Sequence, residues 1–269
     1  MSRIFTLCEK ENAIVSISLN RRLFLAIKNI TAEKGQIMKA QDIKPILCVV
    51  TSAKFNGDSN VPTGYWMSEL FHPIDEFRKA CIAFQIASIE GGTPPLDPAS
   101  MDLKDAVNAA LYSDAEIQKR LRNTARIDSV KPSDYSAVFF AGGHGPMWDF
   151  PNNRNIHRIV REIYARGGVV SAVCHGPCAL INVQLDNGEY LVKGKNIVSF
   201  TDSEERENGT TDIVPFLLET ELSNRRAKFK GAQNWADNVV VDGNLVTGQN
   251  PQSAASLGKA VAELLVCKK

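Results

Sequence analysis

A cysteine that follows an apolar run is the clearest candidate for chemistry in this sequence. The run 169–173 suits a strand that is buried on both faces, and Cys174 comes directly after it. The next residues, His175, Gly176 and Pro177, suit a tight turn that opens a helix. This order is typical of a nucleophile elbow, which places its central side chain in a cleft. Because a helix N-terminus carries partial positive charge, we expect the pKa of the Cys174 thiol to be lowered.

Two further groups could assist such a thiol. His175 lies beside it in the chain and could act as a base or as a hydrogen-bond donor. A second apolar run ends at Gly142 and Gly143, where the absence of Cβ atoms could let backbone N–H groups approach a carbonyl oxygen as an oxyanion hole. The glycine pair could equally be a strand-ending turn. His144 would be a wall or substrate-binding residue of the cleft, or a satisfied polar group.

Acidic residues occur in two places that could face the cysteine. Glu69 lies at a predicted helix start, where the helix dipole alone favours a carboxylate. A second acidic run is usually a solvated loop or a helix N-terminus, but one of its members could orient the histidine; it comprises Asp202, Glu204, Glu205 and Glu207.

Cofactor motifs are missing from the sequence. Cys174 and Cys178 do not have the two-residue separation of a redox or zinc motif. Gly91 and Gly92 lack both the Walker lysine and the spacing of a dinucleotide fingerprint. We therefore predict no cofactor and no metal.

The elements that would position these groups alternate between strand-like and helix-like segments from about residue 45. Strands are predicted over 46–51, 82–87, 135–141 and 169–173, with a hairpin over 239–247. Helices are predicted over 67–80, 114–125, 155–166, 213–224 and 251–266, and a small strand-rich excursion over 189–200. This alternation predicts an α/β fold, a mostly parallel sheet with helices on both faces, in which ligands bind beyond the carboxyl ends of the strands.

Composition bounds the class of protein. The chain has 269 residues, which is enough for one α/β domain over 43–269, preceded by an appended segment over 1–42 that lacks the alternating pattern. A net charge of +1 gives no reason to expect a nucleic acid or an anionic membrane as partner. No apolar run could span a bilayer, and the unpaired spacing of six cysteines indicates a reducing compartment, so we expect a cytoplasmic protein.

Four segments together resemble the PfpI/ThiJ superfamily, and more narrowly its glyoxalase III and heat-shock chaperone branch. They read Ala-Val-Cys-His-Gly-Pro, Ala-Gly-Gly-His-Gly-Pro-Met-Trp-Asp-Phe-Pro, Thr-Gly-Tyr-Trp-Met-Ser-Glu and Thr-Gly-Gln-Asn-Pro-Gln-Ser. The resemblance covers about residues 45–266 in order. It implies a flavodoxin-like sandwich and a homodimer.

The resemblance also implies roles for particular residues. Cys174 would be the nucleophile, His175 its partner, and Glu69 a protonated glutamate that hydrogen-bonds the cysteine. Glu205 would orient the histidine, with Glu204 as its nearest competitor. The branch has Thr-Gly-Phe before this acid, where the present chain has Val198-Ser199-Phe200.

The leading functional hypothesis is therefore a glutathione-independent glyoxalase III that converts methylglyoxal, a small 2-oxoaldehyde, to lactate. Two alternatives stay open. One is a stress chaperone that holds unfolded protein clients and uses its cysteine as a redox sensor. The other is an amidase or peptidase that uses the same triad.

Overall fold

A computed structural model of the chain describes residues 43–267. The predicted appended segment over 1–42 lies outside the described residues, so its separate status stays a prediction. No helix in the described part is long and apolar enough to cross a membrane.

Seven strands form the main sheet, in the order β3-β2-β1-β4-β5-β9-β8. Every neighbouring pair is parallel except β8 with β9, which form the predicted hairpin. The strands are β1 Ile46–Val50, β2 Phe84–Ser88, β3 Ala125–Arg126, β4 Ala137–Phe140, β5 Val169–Val173, β8 Val239–Asp242 and β9 Leu245–Gly248. A separate two-stranded sheet pairs β6 Asn196–Ile197 with β7 Lys228–Phe229. The prediction of a mostly parallel, flavodoxin-like sheet is confirmed.

Helices connect these strands and cover both faces of the main sheet. They are α1 Met67–Lys79, α2 Ala106–Ser113, α3 Ala115–Arg122, α4 Pro146–Asp149, α5 Arg154–Ala165, α6 Asp202–Glu207, α7 Leu218–Asn224 and α8 Ala254–Val266. A 3₁₀ helix, Gly176–Leu180, follows the candidate elbow.

Successive residues of β1 show how one strand serves two cores. Ile46, Cys48 and Val50 point into the core that includes α1 and α8, whereas Leu47 and Val49 point into the core that includes α5. All five side chains are fully buried. Burial on both faces explains why these strands are continuous apolar runs rather than alternating ones.

Three sequence-based expectations differ from the structure. The helix predicted over 114–125 is preceded by a second helix, α2, because Asp105 caps one and Asp114 caps the other. The helix predicted over 213–224 begins only at Leu218, since Pro215 lies where its first turns would be. The predicted strand-rich excursion over 189–200 is mostly turns, with the two-residue β6 and a bridge between Gln184 and Tyr190.

The strand order brings three segments of the chain together at the carboxyl edge of the sheet. From β1 the chain moves outward to β2 and β3, and then returns to β4 on the other side of β1. Such a reversal opens a crevice at the carboxyl ends of the central strands. The segments that follow β1, β4 and β5 carry Glu69, Gly142 and Cys174 respectively.

Candidate active site

Cys174 lies at the carboxyl end of β5 in a backbone conformation that non-glycine residues rarely adopt. Its φ is +59°. The backbone holds it there on both sides, because its N–H donates to Gly248 O at 2.9 Å and its carbonyl accepts from Phe200 N–H at 2.9 Å. This sharp turn after a buried strand is the geometry of a nucleophile elbow. The strain is maintained by the surrounding sheet, as is common at functional sites.

His175 connects the thiol to a carboxylate. Its Nδ1 lies 3.3 Å from Cys174 Sγ, and its Nε2 lies 2.8 Å from Glu205 Oε2. Burial, together with the neighbouring His144, lowers the pKa of His175, so its imidazole is neutral. An ionised carboxylate can only accept, so Nε2 carries the proton and Nδ1 is left with a lone pair. The ring is therefore set to receive a proton from the thiol.

Glu205 accepts hydrogen bonds on both carboxylate oxygens. Oε2 accepts from His175, while Oε1 accepts from His144 Nε2 at 3.1 Å and from the Thr210 hydroxyl. Burial by itself would raise the pKa of Glu205, but the hydrogen bonds from the two histidines outweigh it and lower that pKa below its ordinary value. Glu205 is therefore the ionised partner that can stabilise a charged His175.

Glu204, the competing acid in the sequence, faces away from His175. Its side chain is fully buried and accepts five hydrogen bonds, from Thr201 N–H and Oγ1, Trp235 N–H, Gln249 Nε2 and Asn250 Nδ2. It also completes a capping box with Thr201 at the start of α6. The geometry thus gives Glu204 a structural position and Glu205 the position beside the histidine.

Glu69 lies in the first turn of α1, beside the thiol of Cys174. It is fully buried, and neither carboxyl oxygen has a hydrogen-bond partner of good geometry among the described residues. Burial raises the pKa of Glu69 to about 8, although the Cys174 side chain and the backbone at Gly142 and Gly143 favour its charged form. Glu69 is therefore a protonated acid near neutral pH, beside the candidate nucleophile.

This protonation predicts that the stability of the folded chain depends on pH. Because the pKa of Glu69 is raised to about 8 from 4.5, the folded chain keeps a proton that the unfolded chain releases between those pH values. Stability must then fall as the pH rises from 4.5 to 8, by about 1.4 kcal/mol for each unit of pKa shift. We expect Glu69→Gln, which removes this linkage, to gain several kcal/mol over the wild type by pH 8. Denaturant unfolding at a series of pH values measures the difference.

The pH dependence of wild-type stability cannot be assigned to Glu69 alone, because Asp149 also contributes to it. Burial raises its pKa to about 7, so it contributes a pH dependence of the same sign. That contribution is present in both Glu69→Gln and the wild type and cancels in their difference. Parallel stability curves for the two proteins would contradict the assignment of a protonated Glu69.

The pKa prediction for the thiol is wrong. Burial raises the pKa of Cys174 well above its ordinary value, and the nearby carboxyls, Glu69 first among them, add to this. The segment that follows is a five-residue 3₁₀ helix rather than a long α-helix, so its dipole is too small to offset burial. Cys174 is therefore a thiol in the resting site, and its attack requires a base.

Gly142 and Gly143 follow β4 and meet the elbow closely. A Cβ on Gly142 would collide with Glu69 Oε2 and lie 3.0 Å from Cys174 Cβ, and Gly143 has a φ of +93°. Only glycine fits both places. None of the described hydrogen bonds uses the backbone N–H of His175, so this donor is available beside the thiol. The two glycines and the backbone N–H of His175 can therefore form the predicted oxyanion hole, which stays a prediction.

The same cluster includes a possible cation site. His144, His175 and Glu205 offer ligand atoms that all lie within 4.8 Å of one another. A cation there would occupy His175 Nε2 and Glu205, and so would compete with the hydrogen bond that orients the imidazole. The absence of a metal stays a prediction. Sequence spacing could not indicate this set, because its members follow β4, follow β5 and lie in α6.

Two neighbours of the site were not identified from the sequence. Thr210, five positions after Glu205, carries no motif and reaches the carboxylate only because the chain turns back after α6. Phe200 packs its ring 4.6 Å from the His175 ring and 5.5 Å from the Trp235 ring. Phe200 thus links the Trp235 ring to the site.

The fold and the site define a class of protein: a flavodoxin-like α/β sandwich with a cysteine at a strand-to-turn elbow and a histidine and a glutamate behind it. Comparison with known proteins agrees. The model of the DJ-1/PfpI family matches residues 61–264, and the chain belongs to this family.

Individual relatives match over nearly their whole length. Glyoxalase 3 of Candida albicans is 34% identical over 215 residues, which cover 76% of this chain and 91% of the relative. Glutathione-independent glyoxalase HSP31 of Saccharomyces cerevisiae is 34% identical over 227 residues, with coverages of 79% and 94%. The crystal structure of Rapid Encystment Protein 24 kDa from Francisella tularensis matches with a TM-score of 0.80 at 43% identity, covering 83% of this chain and 99% of that chain.

Proposed function

We propose that this chain is a glutathione-independent glyoxalase that converts methylglyoxal and water to lactate. The observation that carries the proposal is the continuous chain of contacts from Cys174 Sγ through the neutral His175 to the ionised Glu205, with the protonated Glu69 also beside the thiol. The names of the Candida and Saccharomyces relatives support the choice of a 2-oxoaldehyde as substrate.

The first step is addition of the thiol to the aldehyde carbon. Cys174 gives its proton to His175 Nδ1, and the sulfur forms a bond to the carbon while the carbonyl π electrons move to oxygen. Glu205 stabilises the imidazolium that forms. The imidazolium then protonates the alkoxide, and the hemithioacetal results. The backbone N–H groups of Gly143 and His175 are the candidate donors to the developing oxyanion.

The second step moves hydrogen between the two carbons without an oxidant. A base removes the proton from the former aldehyde carbon while an acid protonates the ketone oxygen, and an enediol forms. The protonated base then gives its proton to the neighbouring carbon, while the hydroxyl on the sulfur-bearing carbon returns a proton to the conjugate base of the acid, which leaves a lactoyl thioester on sulfur. His175, which is neutral, is the candidate base, and Glu69, which is protonated, is the candidate acid. Water then hydrolyses the thioester and releases lactate and the thiol.

The burial of the site agrees with a small substrate. Cys174 is only 4% exposed, and Phe200 closes one side of His175. A peptide chain would have to displace these walls to bring an amide carbon to the sulfur, whereas a three-carbon aldehyde requires far less room. The site therefore favours the aldehyde over the amidase or peptidase alternative.

Lactate formation from methylglyoxal, with no glutathione added, tests the proposal. We expect turnover by the wild-type chain that does not increase when glutathione is supplied. Small amide and peptide substrates, assayed at the same enzyme concentration, should give none. Hydrolysis of the amides without lactate formation would contradict the glyoxalase proposal and favour the amidase or peptidase alternative.

The holdase chaperone and the homodimer remain predictions of the family resemblance. Among the described residues, several large apolar side chains are exposed, including Phe55 and Val61 on either side of one turn. Suppression of client aggregation by the chain, and its mass in solution, are the measurements that test these two predictions.

A further inference from the structure

The carboxylate of Glu205 is held from both sides, although the reaction needs only one of its oxygens. Oε2 serves His175 at 2.8 Å. Oε1 accepts two other hydrogen bonds, from His144 Nε2 at 3.1 Å and from the Thr210 hydroxyl. The donors come from different parts of the chain, His144 from the turn after β4 and Thr210 from the turn after α6.

A carboxylate that is bonded through one oxygen can still rotate and tilt about its terminal bond. Donors on the second oxygen remove that freedom, and charge-assisted hydrogen bonds are among the stronger ones available. His144 and Thr210 therefore fix the plane of the Glu205 carboxylate, and with it the direction of the hydrogen bond to His175 Nε2. Neither has a described hydrogen bond to His175 Nδ1, the nitrogen that faces the thiol. Small errors in such an orientation are costly in catalysis.

His144 has a second contact with the same unit. Its ring centroid lies 4.4 Å from that of His175, so it limits tilting of the imidazole as well as of the carboxylate. Its side chain is 12% exposed, and its Nε2 is committed to Glu205. The ring thus faces the triad, and Glu205 uses that nitrogen. The substrate-binding role of His144 stays a prediction.

We propose that His144 and Thr210 are positioning residues, which hold the second oxygen of Glu205 so that the first stays aligned with His175. The proposal rests on the proposed glyoxalase function, and it assigns both residues an effect on catalysis that passes through Glu205. Among the described hydrogen bonds, neither residue has one to Cys174 Sγ or to His175 Nδ1.

Matched variants at each position separate the hydrogen bond from the side chain. Thr210→Val removes the hydroxyl and keeps the shape, whereas Thr210→Ser keeps the hydroxyl. His144→Leu removes the donor, whereas His144→Gln places an amide N–H near the position of Nε2. We expect kcat to fall about tenfold in Thr210→Val and in His144→Leu, with KM changed less than about twofold, and to recover in Thr210→Ser and His144→Gln.

A double-mutant cycle with Glu205→Ala tests the route of the effect. If His144 and Thr210 act through Glu205, then adding His144→Leu or Thr210→Val to Glu205→Ala should lower kcat no further. A loss in the double variants equal to the product of the single losses would overturn the proposal, as would a rise in KM that accounts for the whole effect of His144→Leu. The first result would mean that the residue acts independently of Glu205, and the second that His144 contacts the substrate directly.

Alkylation of Cys174 by iodoacetamide gives a readout that does not depend on the glyoxalase reaction. His175 must accept the thiol proton for alkylation too, so the rate near neutral pH should fall in Thr210→Val and His144→Leu and recover in Thr210→Ser and His144→Gln. This result in a protein that makes no lactate would retain the positioning roles while rejecting the substrate. Unchanged alkylation in all four folded variants would overturn the roles. If Thr210→Val does not fold, the His144 pair decides the test.

Discussion

Replacing Cys174 by alanine should lower kcat for methylglyoxal by a factor of about a thousand or more, because its sulfur forms the proposed covalent intermediate. The fold should be retained. Cys174 takes part in the sheet through its backbone N–H and carbonyl, which the substitution leaves in place. The variant should therefore unfold near the wild-type temperature while steady-state lactate production is lost.

Cys178 supplies the matched control for this experiment. It is also a fully buried thiol, four positions later in the 3₁₀ helix, but its Sγ donates to Pro146 O and does not contact His175. Burial raises its pKa well above the ordinary value. We expect Cys178→Ala to cost about 1 kcal/mol of stability and to keep kcat within about twofold. Full turnover by Cys174→Ala would reject the proposed mechanism.

The second large effect is expected at Glu205. Glu205→Gln leaves the shape of the side chain but removes the negative charge that stabilises the imidazolium, and it allows the wrong tautomer of His175. We expect kcat to fall by a factor of about a hundred or more. The free energy of unfolding should also fall, because the lowered pKa of Glu205 shows that its charge stabilises the folded chain. This loss should be smaller than in Glu204→Gln, since the Glu205 carboxylate accepts three hydrogen bonds and that of Glu204 accepts five. Kinetics and denaturant unfolding of one preparation measure both quantities.

Glu204 provides the contrasting substitution one residue away. Glu204→Gln replaces a fully buried carboxylate that accepts five hydrogen bonds with an amide that cannot accept all of them. We expect a loss of stability of about 2–4 kcal/mol. The kcat of the folded fraction should fall less than in Glu205→Gln. The reverse pattern, with activity lost at Glu204 and stability lost at Glu205, would contradict the assignment of the two acids.

The sequence predicted the elements that position the nucleophile because burial on both faces leaves a plain pattern. The elbow strand was predicted over 169–173 and is Val169–Val173 in the structure. The hairpin of β8 and β9 was predicted from Asp242 and Gly243, which permit the positive φ of its turn. Apolar character did not determine where every helix begins. The helix predicted to begin at residue 213 begins at Leu218 in the structure.

The electrostatics of the site could not be read from the sequence. Neighbouring side chains on α6 point in different directions, so Glu204 and Glu205 have different partners although they are adjacent. His144 and Thr210 reach Glu205 from positions 61 and 5 residues away, which only the fold brings together. The pKa of Cys174 was predicted in the wrong direction because a sequence shows the turn but not the extent of burial.

The covalent attachment of substrate to Cys174 is the most direct test of the whole account. The wild-type chain would be quenched with acid during turnover of methylglyoxal, and its peptides mapped by mass spectrometry. The account predicts a lactoyl group on the peptide that carries Cys174, at the sulfur, and none at Cys178. A lactoyl group carried by another residue, with the Cys174 thiol unmodified, would contradict it.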